Sequence, residues 1–315
     1  MTPCHETEDE VRLREFRWSD VTAYAAIAQE ARQADGGHGD FTQRDAEEYL
    51  GQPNLRPERD CFLAEVDGTP AGYVLVVPEL VIDRAIIEGA VAPAYRRRGV
   101  GRMLLDHGVA HSRALGAKLA HLSASSAATA VRRLFEGAGF AEVNRQLQMR
   151  LDLRDLVAGE SAPSHVVRHL REGEEALITD LQNKAFAGSW GFAPNVPEEL
   201  RYRLRMSGSR HEDALILEVD GKPSAYCWTK IQNQGGQRAQ GGQPVGLIWM
   251  IGVDPEMRGL GLGRAMLLAS VDYLSRQGAE SVELDVYADN APAVGLYEAT
   301  GFRRRGEVVF YEKRL

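Results

Sequence analysis

The sequence of 315 residues predicts an α/β fold, a mixed (α+β) sheet flanked by helices, built twice in tandem. Three observations carry this. The apolar run Leu247-Ile248-Trp249-Met250-Ile251-Gly252-Val253 reads as a buried strand, and a glycine turn and a helix from Arg264 to about Gly278 follow it. The turn Arg258-Gly259-Leu260-Gly261-Leu262-Gly263 has an earlier copy, Arg96-Arg97-Arg98-Gly99-Val100-Gly101, at an offset of 258 − 96 = 162. That offset of 162 also relates Gly116 to Gly278, Leu134 to Leu296, Gly139 to Gly301 and Phe140 to Phe302. One offset shared by several separate motifs marks a tandem duplication. Upstream, Glu65-Val66-Asp67-Gly68 recurs as Glu218-Val219-Asp220-Gly221 at 218 − 65 = 153. The second copy therefore carries 162 − 153 = 9 additional residues, which the glutamine- and glycine-rich stretch 232–243 is expected to hold as a loop.

Each element follows in order. In the first copy, Val11-Arg12-Leu13-Arg14 alternates as a strand, Val21–Arg32 and Gln43–Leu50 read as helices, and 35–39 is a loop. Phe62–Val66 and Gly72–Val77 form a hairpin across Asp67-Gly68, and Ala85–Val91 is a third strand entering the arginine-glycine turn. A helix to Leu115, a strand Lys118–Ala124, a helix Ala130–Glu136 and a closing strand Gln146–Leu151 complete it. The second copy repeats this order, with helices over Glu174–Ala187 and Pro197–Met206 and a last strand Val308–Lys313. The expected division is a first domain over 1–153, a linker over 154–164 and a second domain over 165–315.

Composition narrows the function. The formal charge is 37 − 45 = −8, which argues against a partner held by phosphate neutralisation, so no nucleic acid is expected. No apolar run approaches the ~18 residues of a membrane span, and residues 1–10 lack a signal-peptide core. Cys4, Cys61 and Cys227 are odd in number and widely spaced, which suggests reduced thiols in a cytoplasmic protein. His107 and His111 are four apart on a helix, but no third ligand accompanies them, so no metal is expected.

Strand, glycine turn and helix together aim unpaired backbone N–H groups and the positive end of a helix dipole at an anion. The spacing matches neither the ATP P-loop nor the dinucleotide fingerprint. Arg258-x-x-Gly261-x-Gly263 resembles the [RQ]-x-x-G-x-[GA] coenzyme A loop of the GCN5-related N-acetyltransferases (GNAT). The resemblance covers both halves, two tandem acyl-CoA N-acyltransferase domains, and the order of elements agrees. Ala185-Phe186-Ala187-Gly188 and Trp228-Thr229-Lys230 are similar to segments of tandem members of the mycothiol synthase type.

The resemblance implies acetyl-CoA as cosubstrate and direct acetyl transfer to a primary amine of a small molecule or peptide. It implies that Arg258, Gly259, Gly261, Gly263 and Arg264 hold the pyrophosphate, and that backbone N–H groups near Ile251 and Val253 hold the pantetheine arm and polarise the thioester. The family pattern N-x-x-A/S-x-x-L-Y-x-x-x-G-F is met by Asn290, Ala293, Leu296, Tyr297, Gly301 and Phe302. It makes Tyr297 the acid that protonates the leaving thiolate; the competing structural reading is a core tyrosine with its hydroxyl capped by backbone. Asn290 is a natural helix N-cap. For the base, Glu283, Asp285 and Tyr287 share one face of a strand, and Asp285 lies where related enzymes carry a glutamate. The base position of mycothiol synthase falls near Leu247, which accepts no proton. In the first copy Tyr297 becomes Phe135, Asn290 becomes Ala128 and Asp285 becomes Ser123. That copy is expected to bind acetyl-CoA through Arg96, Arg98, Gly99 and Gly101 without catalysing, and Glu88 reads either as a vestigial base or as an ordinary polar residue of its strand. The alternatives are a mycothiol-synthase-like acetyltransferase and a non-catalytic acyl-CoA sensor or scaffold. Trp190, Phe192 and Tyr202 are expected to shape specificity. The assembly is expected to be a monomer whose two domains mimic a dimer, or a homodimer.

Overall fold

The computed structural model describes residues 10–36, 40–157, 166–232 and 244–315. The loop tip 37–39, most of the expected linker and the glutamine-glycine stretch 233–243 lie outside the described residues. The first repeat runs β1 (Val11–Glu15), α1 (Val21–Ala34), α2 (Gln43–Leu50), α3 (Pro57–Asp60), β2 (Cys61–Val66), β3 (Thr69–Glu79), β4 (Arg84–Val91), α4 (Val100–Ala114), β5 (Leu119–Ser125), α5 (Thr129–Gly137) and β6 (Ala141–Asp152). The second runs β7 (Val166–His169), α6 (Glu175–Phe186), α7 (Pro197–Arg205), β8 (Ala214–Val219), β9 (Lys222–Gln232), β10 (Val245–Val253), α8 (Leu262–Arg276), β11 (Ser281–Tyr287), α9 (Ala291–Thr300) and β12 (Arg303–Arg314). The one element without a predicted counterpart is α3, a single turn started by Pro57.

The duplication extends to side chains. Arg14 bridges Asp20 and Glu65, and Arg168 bridges Glu174 and Glu218, each pair of contacts lying at 2.6–2.7 Å. At the turns, a Cβ on Gly101 would meet Leu134 at 3.6 Å and Val91 at 3.7 Å, while one on Gly263 would meet the equivalent Leu296 and Val253, both at 3.7 Å.

The nine additional residues do not all lie in the hairpin loop. Glu79 pairs with Arg84 in the first copy and Gln232 with Val245 in the second, so β10 begins at an offset of 245 − 84 = 161. Eight of the residues thus fall in sequence between Gln232 and Val245. The ninth is Trp249, where the β9–β10 register shifts between Ile248 and Met250; β3–β4 shows no such shift. A bulge of this kind bends one strand away from its neighbour. β10 pairs in parallel with β11 only from Val245 to Ile248, then continues along β9 to Val253 while β11 continues along β6 to Tyr287. Between the two parted strands a cleft opens.

The chain forms two compact units that are not contiguous in sequence. Unit 1 comprises residues 1–123, 128–142 and 311–315; unit 2 comprises 124–127 and 143–310. The compact units cut across the repeats, because residues 143–152 at the end of β6 fall in unit 2 and residues 311–315 at the end of β12 fall in unit 1. In unit 2, β6 pairs antiparallel with β11 over Gln146–Asp152, and its alternating Leu147, Met149 and Leu151 are at most 2% exposed in that core. In unit 1, the end of β12 lies beside β5, where Leu315 N donates to Lys118 O at 3.0 Å. There His121 Nε2 meets Glu312 at 2.9 Å, and Arg84, itself paired with Glu79, lies against the other ring nitrogen. Each apolar side chain withdrawn from water is worth roughly 1.5–3 kcal/mol.

Candidate active site

Unit 2 carries a cleft of about 670 Å³ at the parting of β10 and β11. Its floor is the end of β10, with Ile251, Gly252 and Val253. One wall is the turn into α8, with Arg258, Gly259, Gly261, Gly263 and Arg264, and the opposite wall comes from α9 with Asn290, Ala293, Leu296 and Tyr297. The end of α6 and the segment after it add Ala185, Phe186, Ser189 and Trp190. Of the second-copy coenzyme-binding and catalytic candidates, all but Asp285 line this one cleft.

The backbone explains the turn. Gly259 has φ +81° and Gly261 φ +77°, left-handed values that a side chain disfavours, and Gly261 is the N-cap of α8. The amides of the first turn of α8 have no intrahelical acceptor and present partial positive charge. Arg258 spans the cleft base, its Nη2 donating to Ala185 O at 2.6 Å, and Arg264 Nη2 donates to Val157 O at 3.3 Å. Both guanidiniums donate to neutral carbonyls, and among the described residues no carboxylate pairs with either. Gly252 is a position that motif reading passes over: a Cβ there would stand 2.7 Å from Ala185 Cβ and 2.8 Å from the Tyr226 ring. Its missing side chain lets α6 close on the cleft floor, and the signal in the sequence is only a glycine in an apolar strand.

Asn290 caps α9 as expected, accepting from Ala293 N at 3.3 Å. Two turns on, Tyr297 is 6% exposed, with its ring 5.8 Å from Phe302. Its hydroxyl makes no protein hydrogen bond among the described residues, so it is not the capped core tyrosine of the structural reading. Burial, then the nearby Cys227, raises the phenol above its ordinary pKa. Burial likewise pushes Cys227 up to about 12, against a hydrogen bond from Ser270. Both groups therefore hold their protons at neutral pH.

Asp285 stands apart from the cleft lining, on the same strand face as Tyr287, which does line it. Its carboxyl reaches solvent, yet desolvation by the surrounding chain and then the like charge of Glu283 raise its pKa. Glu283 is itself paired with Arg150 at 2.7 Å. β10 carries no titratable side chain, Leu247 included. Trp190, Tyr287 and Phe310 form a triad of edge-on rings 5.3–5.7 Å apart beside the cleft. Phe192 stacks on Phe186 at 5.6 Å, and neither Phe192 nor Tyr202 is part of the lining.

In unit 1 the turn keeps its backbone. Gly99 has φ +83° and caps α4, and Arg97 takes φ +66° where the second copy has Gly259. Arg96 is already engaged by Asp35 through two bonds of 2.7 and 3.0 Å, and Arg98 lies over the Tyr95 ring at 5.6 Å. Phe135 is half-buried and packs on Tyr311 at 5.5 Å.

The sequence profile of the Acetyltransferase (GNAT) family matches residues 21–140 and again 176–302. The chain belongs to the GNAT acetyltransferase family. As a GNAT protein it is a transferase, and the family uses acetyl-CoA. It is 34% identical over 274 residues to the mycothiol acetyltransferase of Acidothermus cellulolyticus, covering 81% of each chain. It is 32% identical over 312 residues to that of Thermobispora bispora, covering 96% of this chain and 99% of the relative. Among solved structures, a GCN5-related N-acetyltransferase from Sphaerobacter thermophilus superposes with a TM-score of 0.73 at 21% identity, covering 96% of this chain and 95% of that one. A tandem GNAT protein from the clavulanic acid biosynthesis pathway gives 0.71 at 18% identity, covering 97% and 98%. These structures share the tandem fold. No helix among the described residues is long and apolar enough to cross a membrane.

Proposed function

We propose that this GNAT acetyltransferase transfers acetyl from acetyl-CoA to the primary amine of a cysteinyl pseudo-disaccharide, a mycothiol-type acceptor, in the cleft of unit 2. The carrying observation is that one cleft joins the left-handed glycine turn at the α8 N-terminus to the unpaired hydroxyl of Tyr297. The curated relatives supply the acceptor class. First-turn amides with Arg258 and Arg264 hold the pyrophosphate, at roughly 1.5–3 kcal/mol per contact to charge. Asn290 fixes the start of the wall that carries Tyr297. Amides beside Ile251 and Val253, freed where β10 leaves β11, hold the pantetheine arm and polarise the thioester carbonyl.

The neutral amine attacks that carbonyl, the carbon–sulfur bond breaks, and the departing thiolate takes the Tyr297 proton. The ammonium proton leaves through water to Asp285, a carboxyl whose surroundings raise its basicity. Unit 1 keeps a coenzyme cradle at Arg96, Arg98, Gly99 and Gly101, but Phe135 has no proton to give. The acceptor meets the Trp190–Tyr287–Phe310 rings. The buried thiols of Cys61 and Cys227 support a reducing, cytoplasmic setting.

Release of free coenzyme A from acetyl-CoA, measured with the cysteinyl pseudo-disaccharide, aminoglycosides and peptide N-termini, tests the acceptor. We expect kcat/KM for the pseudo-disaccharide to exceed the others about 100-fold, near 2.7 kcal/mol. Equal rates across the three classes refute the acceptor assignment.

A further inference from the structure

Unit 1 holds a carboxylate that the transfer reaction does not use. Glu88 lies on β4, on the sheet face covered by α1 and α2. Leu75 is its cross-strand partner and Tyr73 its diagonal neighbour, and both belong to that buried core. Protein packs closely around Glu88, yet its side chain still reaches solvent, the position of a group on the floor of a concavity. Its one hydrogen bond comes from Tyr49 OH at 2.7 Å. Among the described residues no arginine, lysine or histidine pairs with it, and no cation figures among the causes of its shifted pKa, which burial raises and Tyr49 lowers. Two further phenols complete the surroundings. Tyr24 and Tyr73 lie 4.0 Å apart between ring centroids and are 2% and 8% exposed. Burial above all, with the charge of Glu88 among the lesser causes, raises the pKa of both.

A carboxylate crowded by protein yet open to solvent, with no cation beside it, is placed to attract one from solution. One carboxylate among aromatic faces is the chemistry that recognises an ammonium, by charge and by cation–π attraction. The second repeat keeps only one of these groups, Tyr226 at the place of Tyr73. By pairing, Glu88 corresponds to Met250, since Leu75 faces Glu88 and the equivalent Trp228 faces Met250. Tyr24 corresponds to Ile178, at the offset 168 − 14 = 154 that relates Arg14 to Arg168. The carboxylate and the Tyr24 phenol are therefore peculiar to unit 1 and are not a requirement of the fold.

We propose that unit 1 binds a primary ammonium ligand in a cage formed by Glu88, Tyr24, Tyr49 and Tyr73, as a second amine site that does not transfer acetyl. The inference rests on the proposed transfer in unit 2; binding is read without turnover, so its failure is distinct from a failure of that reading. The site holds charge and recognises it, with Phe135 in place of an acid, so an amine bound there persists.

The test uses the full chain and two isosteric probes, propylammonium and 1-propanol, titrated by ligand-observed NMR at neutral pH. We expect propylammonium to bind at least tenfold more tightly than 1-propanol, and Glu88→Gln to abolish that preference. Tyr49→Phe, which keeps the carboxylate and removes its hydrogen bond, should retain the preference and serves as a second variant if Glu88→Gln does not fold. Asp285→Asn should also retain it. No preference in the wild-type chain, a preference unchanged in Glu88→Gln, or one lost in folded Tyr49→Phe or in Asp285→Asn overturns the proposal.

Discussion

Helices α5 and α9 descend from one ancestor and now do different work. α9 has a side-chain N-cap at Asn290 and buries Val294, Tyr297 and Thr300. α5 begins at Ala128 with no side-chain cap and buries none of its residues. The aromatic ring is kept at both sites, Phe135 and Tyr297, and the hydroxyl only at one. The difference teaches that packing and chemistry were separable: a single oxygen and a capping amide distinguish the wall that can donate a proton from the wall that only fills space. The glycine turns show the opposite case, since both keep the left-handed cap at Gly99 and Gly261. The left-handed glycine turn survived in both copies, and the phenol in one.

The sharpest break of this comparison is Tyr297→Phe, which makes α9 resemble α5. We expect kcat to fall about 10²-fold or more with acetyl-CoA affinity unchanged, measured by steady-state kinetics and calorimetry. A loss under threefold rejects the tyrosine as acid. The reciprocal Phe135→Tyr should add no activity to the Tyr297→Phe chain.

Next in size is Asp285→Asn, with a fall in kcat/KM of roughly tenfold, the weaker end for a water-relayed proton. Activity of the parent should rise with pH through the Asp285 pKa, which lies above the ordinary carboxylate value, and the variant should lose that limb. Stability has the opposite sign. A carboxyl whose pKa is raised by folding binds its proton more tightly in the native state, so its contribution declines as pH rises from the unfolded to the folded pKa. Asp285→Asn should therefore be more stable than the parent above that window and indistinguishable below it, as thermal melts at two pH values will show.

Gly261→Ala and Gly99→Ala form a matched pair. Each forces a side chain into the left-handed region at a cost of about 1–2 kcal/mol, read by urea unfolding. Only Gly261→Ala should also slow transfer; equal loss of activity in both would join the two turns in one site. The smallest effect is expected from Arg97→Gly, which gives unit 1 the glycine unit 2 has at that turn. It should stabilise the chain by about 1 kcal/mol, raising its melting temperature by a few degrees without changing turnover.

Much of this was legible in the sequence, because glycines with positive φ, helix caps and the tyrosine are set by local chemistry. Arg258, Gly261, Asn290 and Tyr297 were nominated by spacing and stand on one cleft. What escaped is set by distance in the chain. Trp249 sits in an unbroken apolar run, where a bulge leaves no mark on a period of two. Leu147-x-Met149 and Val309-x-Tyr311 alternate identically, so nothing local assigns either strand to its unit. Asp285 was chosen for its strand face, and its position off the cleft lining depends on where β10 parts from β11. Glu88 was read as a lone polar residue, since its phenols come from α1, α2 and β3.

The exchanged strands also set a timetable for the nascent chain. Unit 1 starts first, but its last strand follows the 310 − 143 + 1 = 168 residues that run from the exchange point to the end of the other unit. At about 5–20 residues per second, the ribosome leaves that half unfinished for on the order of 10–30 s, its β5 edge open to chaperones or to a neighbouring polysome product. A fragment ending near residue 155 would stay in that condition permanently, and it would carry a surplus strand that belongs elsewhere.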